Sequence, residues 1–488
     1  MKPSPTIFLS AWRNPSVRYL LYSGVLSRLL EAGARVVVFL RDQDLDFYRS
    51  RLEGSGVICE PVLLDRALAQ LKDTRLGRWL LLVHTCLAAR NGGEINRTTE
   101  ARAYLHDFGA PGGWRYRLVD GSAMALARLA GGSPALRRAL LLLENKLFPG
   151  RCYDHYFAKY QPDLLVTSSV GYSIDPFMMR AAKRFGAPIA AVVHSWDNPT
   201  TKGYRAAEPD WVIAWNQVNA RELTAFQDIA PEKIFVEGVA HWDYYFDGSL
   251  RPRPREEFLR SLGLDPQRKL ILYGSSAPKN FPNTFDALEW LAEGLASDRF
   301  GAPAQMLVRL HPAYFESKKT GRVLDAFQAR MEALERGSRG LVRFAHPAIK
   351  GLASGVDMPK DDLLELAETL GHSDLLLTEY STLMIEAAVL DVPVINVSLF
   401  NFRDTDRPAS FFETYAHLRP VLDTGACKNA YTFEELEDYL TNYLRHPELD
   451  AEQRRSLVDL MIPVNRGTAG QAVAERILSL AAGPRKTA

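Results

Sequence analysis

At 488 residues the chain is longer than one ordinary hydrophobic core supports, so two domains are expected. It is 47% hydrophobic and 24% charged, as globular proteins are, and a net charge of +1 supplies no global attraction for nucleic acid. The four cysteines (Cys59, Cys86, Cys152, Cys427) follow no CxxC or metal-ligand spacing and read as small buried residues in a reducing compartment.

The opening MKPSPTIFLSAW lacks the layout of a signal peptide, and no apolar run approaches the roughly 20 residues that span a bilayer. A soluble cytoplasmic protein is expected, or one held peripherally on the inner face of a membrane. The chain starts with an apolar strand (Ile7 to Leu9), a helical pattern from Val17 to Glu31, Gly33, and a strand from Arg35 to Leu40. Helices of period 3.6 between near-continuous apolar strands predict parallel βαβ units. Residues 114–151 break the rhythm with a leucine-rich, basic helical segment in which Arg137, Arg138 and Lys146 sit among leucines. Two readings stand there: a face that meets anionic lipid or a lipid-linked acceptor, and a helical hairpin packed on the first domain with its basic side solvated.

Strands then return at Asp163 to Thr167, Pro188 to Val193, Trp211 to Trp215 and Ile234 to Glu237. The fourth strand of this half runs into His194-Ser195-Trp196-Asp197-Asn198-Pro199, a dense polar set at the end of a buried run. His194 is the candidate general base, since an imidazole titrates near neutrality, and Asp197 either orients it or serves as base itself. A local turn capped by these side chains is the plainer alternative. His241, after the last strand, reads equally as structural or functional.

Residues 247–268 are rich in proline, arginine and acid and predict a linker. The strand cycle restarts at Lys269 to Tyr273 and continues through Met306 to Leu310, Leu341 to Phe344, Leu375 to Thr378 and Pro393 to Val397. The predicted fold class is α/β, with doubly wound domains at 1–246 and 269–450 and a C-terminal helical tail at 451–488. Three strand ends of the second half converge on one crevice. Gly274, Ser275 and Ser276 are small enough to admit a phosphate or sugar. Arg309 and His311 follow on the next strand, with a structural ion pair as the alternative for Arg309. The turn Thr378-Glu379-Tyr380-Ser381-Thr382 opens a helix whose N–H groups suit an anion, with Glu386 one turn on for a ribose hydroxyl. An ordinary capped helix is the alternative. Asp404 and Asp406 form a literal DxD between Arg403 and Arg407; Arg403 or Arg407 neutralising a diphosphate is preferred to a metal ion there.

These residues resemble the GT-B glycosyltransferase architecture, and more narrowly the CDP-glycerol glycerophosphotransferase family of surface-polymer enzymes. That family's donor motif is similar to D-Y-S-S and, after three residues, an acid; Glu379-Tyr380-Ser381-Thr382 and Glu386 stand in those places. Its strand-end Arg-x-His-Pro is matched by Arg309-Leu310-His311-Pro312. Of its W-H-G-T-P motif with following lysine and glycine, Pro199, Lys202 and Gly203 match. The histidine is displaced to His194 and Asp197 stands nearer its place, so the base remains open between them. The resemblance implies two Rossmann-like domains facing a cleft, a nucleotide-activated donor on the second and a polysaccharide or lipid-linked acceptor on the first. It implies transfer without a metal or other cofactor. Two alternatives of other classes are a UDP-N-acetylglucosamine 2-epimerase, whose glycines and paired acids this turn lacks, and a non-catalytic nucleotide-sugar-binding assembly protein.

Overall fold

Apolar runs flanked by helices on both faces must pair as parallel strands, because only then is every buried backbone group bonded and every side chain covered. The computed structural model describes residues 4–52, 54–88, 113–170, 174–315, 324–345, 350–352, 355–357, 360–402 and 407–483. The first sheet holds β1 (Thr6–Ser10), β2 (Arg35–Leu40), β3 (Ile58–Pro61), β4 (Leu164–Thr167), β5 (Ile189–Val192), β6 (Trp211–Ala214) and β7 (Ile234–Val236). The second holds β8 (Lys269–Gly274), β9 (Ala304–Arg309), β10 (Val342–Phe344), β13 (Leu375–Thr378), β14 (Val394–Val397) and β15 (Cys427–Ala430). Between them in sequence, β11 (Lys350–Leu352) and β12 (Gly355–Asp357) form a separate antiparallel pair.

The orders are β3-β2-β1-β4-β5-β6-β7 and β10-β9-β8-β13-β14-β15, parallel throughout. Each order reverses beside its first strand, between β1 and β4 and between β8 and β13. In doubly wound sheets, ligands bind outside the carboxyl ends of the strands at that reversal. The fold is therefore α/β with two doubly wound domains, and both candidate sites stand at switch points.

The helix expected from Val17 to Glu31 is interrupted. A π-turn at Arg18–Tyr22 gives way at Ser23 to a separate helix, Gly24–Glu31. Ser23 takes an extended conformation, donates its hydroxyl to Tyr19 O (2.6 Å) and accepts from Val25 N–H (3.2 Å). Its side chain thus competes with the helical ladder, which apolar periodicity does not register.

The chain divides into one unit made of residues up to Asp243 plus those from Val464 on, and a second of Tyr244–Pro463. The stretch 247–268, expected as a linker, lies within the second unit. Its helix Arg255–Ser261 buries Phe258 and Leu259, Arg253 bonds Glu368 (2.8 Å), and Arg255 bonds Asp374 (2.8 Å). The basic, proline-rich composition serves these straps. The expected tail is likewise divided. Helix Ala451–Met461 stays in the second unit, where buried Arg454 bonds Asp391 (2.8 Å). Helix Ala469–Ala481 joins the first, capped by Asp243 on the N–H groups of Ala469 (2.9 Å) and Gly470 (2.7 Å). A Cβ on Gly470 would lie 2.8 Å from Gly24 N, so only glycine permits that helix to pack so closely.

Helices Trp114–Gly131 and Pro134–Leu147 form a hairpin on the first unit. Arg137 turns inward to Asp228 (2.6 Å) and the carbonyls of Ala130 and Gly131. Fully buried Glu144 bonds His84 and Arg180 (3.2 Å). The packed-hairpin reading therefore describes its inner face. The outer face keeps Trp114, Leu118, Leu129 and Leu143 exposed beside Arg115, Arg117, Arg128 and Arg138.

Candidate active site

On the first unit, β5 delivers His194 into a buried position. Its Nδ1 meets the carbonyl of Ser168, at the end of the neighbouring β4. A carbonyl only accepts, so Nδ1 carries the hydrogen and Nε2 the lone pair. Burial, then the nearby Arg13 charge, lowers its pKa to about 3, so the ring is neutral at physiological pH. Asp197 does not orient it. The Asp197 carboxylate accepts from Ser195 Oγ (2.6 Å) and Thr201 Oγ1 (2.7 Å) and pairs with Lys202 (2.8 Å). It thereby ties side chains on either side of the short helix Asn198–Thr201 together, without a cap bond to the helix backbone. The orienting group is Ser168, which lies 26 residues from His194 and bears no local signal.

On the second unit, the ends of β9, β8 and β13 do come together. His311 N–H donates to Ser275 Oγ (2.8 Å), and Ser275 N–H to Arg309 O (3.1 Å). Ser276 donates to Glu379 from both N–H (2.7 Å, to the carboxylate) and Oγ (2.8 Å, to the carbonyl). His311 Nδ1 accepts from Ala313 N–H (3.0 Å), which leaves the ring hydrogen on Nε2. The residue remains exposed although crowding by its neighbours, then the Lys279 charge, lowers its pKa to about 4. It is a neutral donor on the surface of the crevice.

Several expected donor contacts are instead internal bonds. Arg309 is buried and bonds both oxygens of Asp362 (2.8 Å each), so the ion-pair alternative applies. Glu379 is buried and accepts from Tyr273 and Thr284 (2.8 Å each) as well as Ser276; burial raises its carboxyl to about 7. At Gly274 a Cβ would lie 2.4 Å from Leu383 Cδ1, so the missing side chain makes room for the following helix. Glu386 accepts from Tyr245 OH (2.8 Å), a partner 141 residues away in sequence. Ser381 Oγ accepts from Leu383 N–H (3.2 Å) as a cap, while Ser381 and Thr382 remain half-exposed. Tyr380, between them and Glu379, is held at φ +54 by Asn396 (3.1 Å), Ser398 (2.9 Å) and Glu413 (2.6 Å). Backbone strain of this kind collects at functional turns. Arg403, Asp404 and Asp406 lie outside the described residues. Among the described residues, no group of three His, Cys, Asp or Glu side chains is placed to hold a metal ion.

The family model for CDP-glycerol:poly(glycerophosphate) glycerophosphotransferases matches residues 179–479, well over half of the chain. The chain belongs to that family. The match takes in His194, the Arg309–Pro312 strand end and the Glu379–Glu386 turn, and the glycerophosphotransferase is accordingly a transferase that uses a nucleotide-activated donor. Among solved structures, UDP-GlcNAc 2-epimerase from Neisseria meningitidis bound to UDP-GlcNAc is similar over 97% of this chain and 100% of its own, at 11% identity and TM-score 0.53. The S. aureus MnaA–UDP co-structure is similar over 99% and 100%, at 12% identity and TM-score 0.50. The wall teichoic acid polymerase TagF is similar over 99% and 90%, at 11% identity and TM-score 0.47. At such identities the likeness establishes the fold, which is GT-B, and not the reaction. A search of curated proteins finds no match to the chain. Among the described residues, no helix is long and apolar enough to cross a membrane.

Proposed function

We propose that the protein transfers a polyol-phosphate group from a cytidine-nucleotide donor to a hydroxyl of a surface-polymer or lipid-linked acceptor. The observation that carries this reading is His311: an exposed, neutral imidazole with its hydrogen on Nε2, fixed at the end of β9 by its bond to Ser275. In transfer, the acceptor oxygen bonds to the donor's distal phosphorus and the bridging P–O bond breaks, releasing the nucleoside monophosphate. His311 Nε2–H donates to the leaving phosphate, where charge grows, and His194 Nε2 takes the acceptor's proton. Ser276, Ser381 and Thr382 line the donor crevice, and Glu386, already seated by Tyr245, faces the ribose. Transfer proceeds without a divalent cation in this reading.

The epimerase alternative draws only on fold likeness. The test is thermal shift of the full-length protein with CMP, CDP, UDP and GDP. Selective stabilisation by the cytidine nucleotides is expected; selective stabilisation by UDP, or none by any of the four, overturns the donor assignment.

The outer face of the hairpin supports a second element of the proposal, contact with an anionic membrane surface. Exposed Trp114, Leu118 and Leu129 supply apolar area, and Arg115, Arg117, Arg128 and Arg138 supply complementary charge. Sedimentation with phosphatidylglycerol vesicles, absent with phosphatidylcholine and reduced in Trp114→Ser/Leu118→Ser, is expected. Equal recovery with both vesicle types removes this element.

A further inference from the structure

Five neighbouring strands of the first sheet, β1, β4, β5, β6 and β7, end side by side, and the residues after four of them keep a nitrogen without a partner among the described residues. After β1, the Arg13 guanidinium lies 4.4 Å from the Trp12 ring, and its buried Nε has no hydrogen-bond partner among the described residues. Asp175 is near it, but that carboxylate already accepts from Ser10 (2.7 Å), Trp12 (3.3 Å) and Ser168 (2.9 Å). After β5, fully buried Asn198 accepts through Oδ1 from the N–H groups of His194 (3.1 Å) and Ser195 (3.2 Å), while its Nδ2 is unpartnered. After β6, buried Trp215 has an Nε1 without a partner among the described residues, and its ring lies 5.4 Å from that of His241, which follows β7. A buried donor without a partner costs about 1–3 kcal/mol, and natural proteins keep few of them. Several at neighbouring strand ends, with the Arg13, Arg18 and Lys202 charges acting on His194 and His241 there, suit oxygen atoms bearing negative charge.

We propose that the strand ends of the first unit form a phosphate subsite, in which Arg13, Asn198 Nδ2 and Trp215 Nε1 donate to the oxygens of a phosphate ester. The subsite rests on the transferase reading and deepens it, since the phosphate arrives either on the acceptor or as the distal phosphate of the donor. Arg13 lies ahead of the residues that the family model matches, while Asn198 and Trp215 fall within them. A bound phosphate also offsets the Arg13 and Lys202 charges that suppress the basicity of His194, and so readies that ring to take a proton when substrate is present.

The experiment is calorimetric titration of the full-length protein with inorganic phosphate and with glycerol 3-phosphate, glycerol serving as the neutral control. Wild type binds both phosphates and not glycerol. Arg13→Gln weakens phosphate binding about tenfold or more, Arg13→Lys recovers part of it, and Asn198→Asp, which replaces the unpartnered donor with a charged acceptor, abolishes it. Melting temperatures certify folding; should Asn198→Asp not fold, the Arg13 pair decides, because that side chain has no ion pair among the described residues to lose. Undiminished phosphate binding in Arg13→Gln, or none in wild type, overturns the subsite. CDP titrated into Arg13→Gln separates the two sources: equal affinity assigns the phosphate to the acceptor, and a parallel loss assigns it to the donor. Phosphate binding is measured without turnover, so an inactive wild type would overturn the transferase reading and leave this result standing.

Discussion

The two units differ in how they treat the polar groups at their strand ends. In the second, Glu379 is bonded by Tyr273, Ser276 and Thr284, Arg309 by Asp362, and Glu386 by Tyr245. In the first, Arg13, Asn198, Trp215 and His241 each keep a nitrogen unpartnered among the described residues. A crevice whose supporting groups satisfy one another is rigid before its ligand arrives. One with orphaned donors gains its missing bonds only on binding. The contrast suits a donor held in one fixed pose and an acceptor that completes its own site.

The sharpest way to break the comparison is Asp362→Ala, which strands the buried Arg309 charge. A loss of about 3–5 kcal/mol is expected in urea denaturation. Unchanged stability with weakened nucleotide binding would instead return Arg309 to the donor site. Next in size, His311→Ala should cut turnover about 10²–10³-fold, the scale for a lost proton donor at developing charge, with the melting temperature preserved. Wild-type rates would remove His311 from the reaction.

The smallest effect is a pH dependence carried by one buried carboxyl in each unit. Burial raises Glu379 to about 7 and Glu222 to about 8, so the folded protein holds these protons more tightly than the unfolded chain. The stability they add is complete below the ordinary value of 4.5 and is lost as pH rises, by about 7 for Glu379 and about 8 for Glu222. Glu379→Gln and Glu222→Gln should each flatten part of the fall in stability between pH 5 and 8; slopes equal to wild type would refute the assignment.

Much of the architecture was legible because it follows from local pattern. The run Arg35 to Leu40 is a strand at those bounds, since an unbroken apolar run between helices has no other low-energy arrangement. The Arg309–Pro312 and Glu379–Thr382 motifs stand at the ends of β9 and β13, on either side of β8, as three apolar runs feeding polar turns suggest. The failures share a cause. Arg309, Glu379 and Gly274 read as ligand contacts because nothing nearby in sequence reveals Asp362, Thr284 or Leu383 as their neighbours. The interrupted first helix was missed for a related reason: a serine hydroxyl competing for the backbone leaves the apolar period intact.

The order of residues by itself determined the doubly wound class, the turn around Ser381 and the two histidines at strand ends, because these depend on periodicities of two to four residues and on chain direction. Only the tertiary structure decided which polar side chains are spent on one another and which remain for a ligand. That outcome turns on contacts between residues such as Tyr245 and Glu386, or Ser168 and His194, whose separation along the chain carries no periodic trace.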